Sequence, residues 1–179
     1  MSVISHHTMS MDGFIAGPGD SIDWSFAYGR ATSLADETMH RIGAIVAGRR
    51  WYDLATERWN GVDGIYGGAY RGDVFVLTHR ALPQPPPRIR FITEGIEAAV
   101  AHAQVAAGGK DVAVFGGALT QQCLAAGLLD EIVLHVVPVL LRSGVRLFGD
   151  DKGGRIELER AYVGEAEQLT DLRFRVVRR

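Results

Sequence analysis

Short runs at residues 44–47, 73–78, 112–115 and 131–137 are apolar, rich in β-branched side chains and nearly free of polar alternation. A strand of that kind must be covered on both faces, which happens chiefly in parallel sheets flanked by helices. The segments between these runs supply the helices. Residues 32–42 place Leu34, Ala35, Met39 and Ile42 at helical spacing behind the candidate caps Thr32 and Ser33. Residues 49–57, 96–107 and 119–126 read as further helices, the last two closed by Gly108-Gly109 and by Gly127. Strands are also expected over residues 3–9 and, beyond the proline cluster Pro83, Pro85, Pro86 and Pro87, over 89–93. Two longer, more polar strands, 156–163 and 172–177, predict a C-terminal antiparallel hairpin. The expected fold class is α/β: a mixed, mostly parallel central sheet with helices on both faces.

Loops follow from the glycines. Met11-Asp12-Gly13 is a turn signal, residues 17–20 extend it, and residues 60–72 carry Gly61, Gly64, Gly67, Gly68 and Gly72. The second stretch predicts a mobile surface loop, and both are placed to act as lids. At 179 residues the chain fits one domain, 1–179. With 19 Lys+Arg against 21 Asp+Glu it has no global field for nucleic acid or an anionic membrane, so a small-molecule partner is expected. Cys123, the only cysteine, excludes an intramolecular disulfide and any multi-cysteine zinc or iron-sulfur site. It suits a reducing cytosol. Neither a signal peptide nor an 18-residue apolar span is readable, so a cytoplasmic location is expected.

Three strand ends carry the chemistry. Val112-Ala113-Val114-Phe115-Gly116-Gly117-Ala118 runs a buried strand into paired glycines and a helix start, where free N–H groups can meet an anion such as a pyrophosphate. A tight turn that binds nothing fits the same residues. Gly48-Arg49-Arg50 opens a helix with two guanidinium groups, which oppose the helix dipole and are better placed to meet phosphate oxygens. A solvated basic turn is the alternative. Thr78-His79-Arg80 adds a hydroxyl, an imidazole and a guanidinium. Ligands of open α/β sheets bind outside the carboxyl ends of the strands, so these ends converge if their strands are neighbours. Together they suit a dinucleotide with an extra phosphate, NADP rather than NAD.

Met9-Ser10-Met11-Asp12-Gly13-Phe14-Ile15-Ala16, Gly48-Arg49-Arg50-Trp51-Tyr52-Asp53, Val114-Phe115-Gly116-Gly117-Ala118 and the pair 128–131 with 138–141 resemble, in order and spacing, the dihydrofolate-reductase-like superfamily. The likeness is strongest to the reductase domain of the bifunctional riboflavin deaminase-reductase and its stand-alone relatives. It implies NADPH as cofactor. By resemblance, Gly48, Arg49, Arg50, Thr78, His79 and Arg80 hold the adenosine ribose and its 2′-phosphate. Gly116, Gly117, Ala118, Leu119 and Thr120 cradle the pyrophosphate, Ile15 and Ala16 line the nicotinamide, and Asp12, Asp23, Trp24 and His135 lie near the substrate. The implied reaction is hydride transfer to a heterocycle or a sugar-derived carbonyl or imine, as in 5-amino-6-(5-phosphoribosylamino)uracil reductase. Dihydrofolate reduction and a non-catalytic NADP-binding protein of the same fold are the alternatives.

Several residues admit two readings. Asp12 beside Gly13 can make an Asx turn, and His135 can be a core histidine or a proton donor. No catalytic residue is singled out. His6 and His7, adjacent on a strand, point to opposite faces and form no metal pair. Trp24, Trp51 and Trp59 suit packing more than stacking. Asp23-Trp24-Ser25-Phe26-Ala27-Tyr28-Gly29 lacks the carboxylate that dihydrofolate reductase places shortly after its tryptophan. The His-x-Glu and Pro-Cys-x-x-Cys set of a zinc deaminase is missing too. The apolar run 132–141 suits either a buried central strand or a homodimer interface.

Overall fold

A computed structural model describes residues 1–28, 32–82, 84–149 and 154–178; Gly29 and Pro83 lie outside the described residues. Its main sheet has eight strands in the order β5-β4-β3-β6-β1-β7-β10-β9. In chain order these are β1 (Val3–Ser10), β3 (Ile42–Gly48), β4 (Asp73–Leu77), β5 (Ile89–Ile92), β6 (Asp111–Phe115), β7 (Glu131–Val137), β9 (Leu158–Ala166) and β10 (Leu169–Val176). The six strands from β5 to β7 run parallel, whereas β10 pairs antiparallel with both β7 and β9. β2 (Phe14–Ala16) and β8 (Val145–Arg146) make a separate antiparallel pair. The helices are α1 (Asp23–Phe26), α2 (Ser33–Arg41), α3 (Arg49–Arg58), α4 (Ile96–Ala106) and α5 (Gly117–Ala125).

Alternation along each strand distributes the helices over both faces. Val3, Ala44, Val46, Phe75, Val112 and Val114 pack under α4 and α5. Their neighbours Ile42, Ile45, Ala47, Val74 and Val76 turn the other way, toward α3 and the segment that follows it. Leu34 of α2 joins Ile4 and Val133 on that second face. Small side chains let these layers approach closely. A Cβ on Gly43 would lie 2.5 Å from the Ala107 carbonyl, so only glycine lets β3 begin beneath the end of α4.

The sequence-based expectation differs from the structure in four places. Residues 60–72 are not a loop laid on the surface. Gly61–Gly68 forms short 3-10 turns, and Ile65 and Tyr70 sink to 6% and 4% exposure, so burial of apolar side chains overrides the glycine content. The run 132–141 offers no interface over its first six residues, because β7 is enclosed between β1 and β10. The strands expected at 156–163 and 172–177 lie at Leu158–Ala166 and Leu169–Val176, since a tight turn at Glu167, with positive φ, sets the register. α1, β2 and β8 are too short for a periodic signal and were not expected. Among the described residues no helix is long and apolar enough to cross a membrane.

Candidate active site

β3, β6 and β1 are neighbours, and a cavity of about 710 Å³ opens at their carboxyl ends. Its floor includes His6, His7, Gly48, Phe115 and Gly116; its walls come from β2, α1, α3, the 61–67 segment and the start of α5. That size lies within the range of small-molecule and cofactor sites. A Cβ on Gly116 would meet nothing within 4 Å, and one on Gly48 only the Leu119 side chain at 3.9 Å. A bound molecule can therefore approach the backbone at both strand ends, as a flat or phosphorylated ligand requires.

Gly116 adopts φ 99°, ψ 144°, a conformation open to glycine alone, and a closed circuit of hydrogen bonds holds it there. Its N–H donates to His7 Nε2 at 2.9 Å. Neutral His7 then carries its proton on Nδ1, which donates to Ser5 Oγ at 3.1 Å. Ser5 Oγ meets Thr120 Oγ1 at 3.1 Å, and Thr120 Oγ1 donates back to the Gly116 carbonyl at 3.0 Å. Burial lowers the His7 pKa to about 4, which keeps Nε2 free to accept. The Gly116 N–H and the Thr120 hydroxyl are thus committed within the protein. The N–H groups of Gly117, Ala118 and Leu119 precede the first intrahelical bond of α5, from Thr120 N–H to the Gly116 carbonyl. They present the positive end of the helix at the cavity.

The basic strand ends sit on the other side of Gly48. Arg50 lines the cavity and pairs with Asp20 at 2.7 Å, tying the 17–20 segment to α3. Arg49 pairs with Asp53 at 2.8 Å and donates to the Arg80 carbonyl at 3.3 Å. β4 lies next to β3, so Thr78, His79 and Arg80 adjoin Arg49 without lining the cavity. Thr78 is buried and its hydroxyl bonds the Arg80 backbone.

On the face of β1 opposite His7, three strands contribute a row of buried polar groups. His6 Nδ1 lies 2.9 Å from Tyr66 Oη, and His6 Nε2 lies 2.8 Å from His135 Nε2. His135 Nδ1 meets Asp171 Oδ1 at 2.6 Å across the β7–β10 pair. Tyr66 stands at φ 51°, unusual for a side chain of its size, with its ring stacked on His6. Burial first, then the neighbouring His135 charge, holds His6 well below the ordinary histidine range. Burial pushes the Tyr66 phenol upward.

Of the expected substrate residues, only Trp24 lines the cavity, beside Ile15 and Ala16. Asp12 is occupied elsewhere: its carboxylate accepts from Ser10 Oγ and from the backbone N–H groups of Leu141 and Arg142, which anchors the exit of β7. Asp23 is exposed at the start of α1 and bonds Ser21. His135 sits one ring behind the wall. Trp51 and Trp59, expected as packing residues, line the cavity as well. His6, His7, Tyr66, Asp171 and Asp20 were not anticipated as site residues. The one signal was two consecutive histidines in a core strand, which need buried partners. Among the described residues no cluster of three or more His, Cys, Asp or Glu could hold a metal ion.

The family model of the RibD C-terminal domain matches residues 1–164. No curated protein sequence matches the chain. A solved structure of a protein from Shewanella sp. PV-4, described as belonging to riboflavin biosynthesis, aligns with TM-score 0.83 and 23% identity over 99% of this chain and 100% of that one. A pyrimidine reductase-like protein of Corynebacterium diphtheriae NCTC aligns with TM-score 0.69 and 14% identity over 99% of this chain and 92% of that one. A diaminohydroxyphosphoribosylaminopyrimidine deaminase/5-amino-6-(5-phosphoribosylamino)uracil reductase of Thermotoga maritima aligns with TM-score 0.66 and 13% identity. That alignment covers 98% of this chain and 56% of the Thermotoga chain. At such identities the likeness to these structures concerns the fold.

Proposed function

We propose that this chain, which belongs to the RibD C-terminal domain family, is an NADPH-dependent reductase acting on the sugar-derived carbon of a pyrimidine intermediate of riboflavin biosynthesis, of the 5-amino-6-(5-phosphoribosylamino)uracil type. The observation that carries the reading is the cavity at three adjoining strand ends, with open space over Gly116, a helix start on one side and Arg50 on the other. NADPH, when bound, supplies a hydride. The N–H groups of Gly117, Ala118 and Leu119 would hold its pyrophosphate, and Ile15 and Ala16 its nicotinamide. Arg49 and Arg50, with Thr78, His79 and Arg80 alongside, would hold the 2′-phosphate. For this the two arginines exchange Asp53 and Asp20 for phosphate oxygens; the Arg49–Asp53 pair is exposed and weak, and the Arg50 guanidinium faces solvent although Asp20 is mostly buried. Trp24 would face the acceptor.

Dihydrofolate reduction fits less well, because among the described residues the one carboxylate lining the cavity belongs to Asp20 and is paired with Arg50. In this reading residues 1–179 act as one reductase domain in the cytoplasm. Self-association as a homodimer would use β9, whose Leu158, Tyr162 and Val163 are 43%, 43% and 50% exposed.

Calorimetric titration with NADPH and NADH tests the cofactor. Wild-type protein is expected to prefer NADPH by at least roughly tenfold, about 1.4 kcal/mol. The double variant Arg49→Ala, Arg50→Ala should lose that preference while binding NADH within about twofold of wild type, a gap well below the 1.4 kcal/mol of a tenfold change. Equal affinities in the wild type, or no binding at millimolar NADPH, sink the assignment.

A further inference from the structure

The cavity wall at Tyr66 is the outer end of the row Tyr66–His6–His135–Asp171, which runs inward across β1, β7 and β10. Its inner members are 8%, 5% and 3% exposed for His6, His135 and Asp171. Polar groups so deeply buried cost folding energy, and apolar side chains would fill a core more cheaply. We propose that Tyr66 is the proton donor of the reduction and that Asp171, His135 and His6 form the relay that loads it, an inference that rests on the reductase reading above.

The geometry restricts the row to two proton arrangements. Two ring nitrogens facing each other at 2.8 Å share one hydrogen, so one ring donates and the other accepts. Asp171 accepts from His135 Nδ1–H in both arrangements. When His135 is neutral, its Nε2 is bare and His6 must donate from Nε2; His6 Nδ1 is then bare and accepts the Tyr66 hydroxyl, which is turned inward. One added proton reverses the His135–His6 and His6–Tyr66 bonds and leaves the bond to Asp171 as it was. His135 now donates from Nε2, His6 carries its proton on Nδ1 and donates to Tyr66 Oη, and the phenolic proton is free to point into the cavity. His6 stays neutral throughout, in keeping with its lowered pKa, and the extra charge rests on His135 beside the Asp171 carboxylate. The raised pKa of Tyr66 keeps it a phenol until a stronger demand arises.

During turnover the acceptor carbon takes the hydride and its C=N or C=O π pair goes to the heteroatom, which removes the Tyr66 proton. Tyr66 Oη takes the proton of His6 Nδ1, and His6 Nε2 takes that of His135 Nε2. His135 is left neutral against Asp171, and a proton from solvent reloads the row. Among the described residues the neighbouring polar, titratable and charged groups are few. Thr32 Oγ1 stands 3.5 Å from His135 Nδ1, Arg173 two residues along β10 is paired with Glu37 of α2, and His7 and Tyr70 adjoin His6 and Tyr66.

Two measurements on the full chain test the relay. In ¹⁵N-histidine NMR without any ligand, acidification should add a proton to His135 and, in the same step, move the His6 proton from Nε2 to Nδ1. Asp171→Asn should uncouple the two rings. A His6 ring that keeps one tautomer while His135 titrates overturns the relay. In kinetics, Tyr66→Phe should bind NADPH within about twofold of wild type, yet lose turnover of 5-amino-6-(5-phosphoribosylamino)uracil by roughly a hundredfold or more, in the range of general-acid catalysis, along with its solvent isotope effect. Turnover within threefold of wild type and an unchanged isotope effect overturn the donor role. If wild-type protein binds NADPH but does not oxidise it with that substrate, the reductase reading fails and the donor role with it. NMR then decides the proton switch alone.

Discussion

His7 links two features that lie 109 residues apart in sequence, the middle of β1 and the glycine turn at the mouth of α5. Burial disfavours the charged form of this ring and lowers its pKa to about 4, which keeps Nε2 bare to accept from the Gly116 N–H. An unfolded histidine titrates near pH 6.5. Between those values the unfolded chain binds a proton that the folded chain refuses, so stability falls as pH drops from about 6.5 to about 4 and levels off below. Above that window His7 contributes no slope. The ring borders the cavity and is only partly buried, so the loss is no more than about 3 kcal/mol. Urea unfolding at pH 7, 5.5 and 4 should show this decline, and His7→Gln should flatten part of it while its amide oxygen keeps a bond to Gly116. An identical pH slope in the variant would remove His7 as the cause. The adjacency of His6 and His7 was legible in the sequence, and so was their division between two faces. Their partners were not, because Tyr66, His135, Gly116 and Thr120 reach them only through the packing of separate elements.

Arg41 ends α2 and clamps the amino ends of two strands, at 2.7 Å from Asp111 of β6 and 3.2 Å from Glu131 of β7. Asp111 also accepts the Ser2 N–H, which fixes the entry of β1 between them. Arg41→Ala removes the guanidinium shared by both carboxylates, each mostly buried, and leaves Asp111 with the Met1 ammonium at 4.0 Å. The expected loss is about 2 kcal/mol, less than for a fully buried pair because Arg41 remains partly exposed. Adding Asp111→Asn should recover part of it, and thermal unfolding of the two variants measures both effects. An Arg41→Ala protein as stable as wild type would show the clamp to be neutral. Among the elements, the apolar strands and the capped helix behind Thr32 were legible, since their periodicity is local and the Thr32 hydroxyl accepts from Ala35 N–H as a cap should. The 61–68 segment was not. Glycine content speaks for a loop, but Ile65 and Tyr70 find a core beneath α3 that no local pattern announces.

For the whole molecule, the terminal hairpin carries β10 into the sheet and leaves β9 at its edge, with apolar side chains in water. Unpaired edges of that kind associate unless something blunts them. If β9 forms a homodimer, light scattering should give about twice the 19.5 kDa chain mass, and Tyr162→Glu with Val163→Glu should return it to the monomer with NADPH binding intact. A wild-type monomer at high micromolar concentration would dismiss the dimer. β10 does more than extend the sheet, since it brings Asp171 opposite His135 and so completes the buried row. The sequence alone determined the α/β class, the parallel strands, the closing hairpin and the three strand ends rich in glycine and arginine, because side-chain periodicity and turn chemistry act over a few residues. Only the tertiary structure decided which ends meet. The order β4-β3-β6-β1-β7-β10 places Gly48 beside Phe115 and threads Tyr66, His6, His135 and Asp171 into one line. That order arises from crossovers and packing between distant segments, which no local pattern encodes.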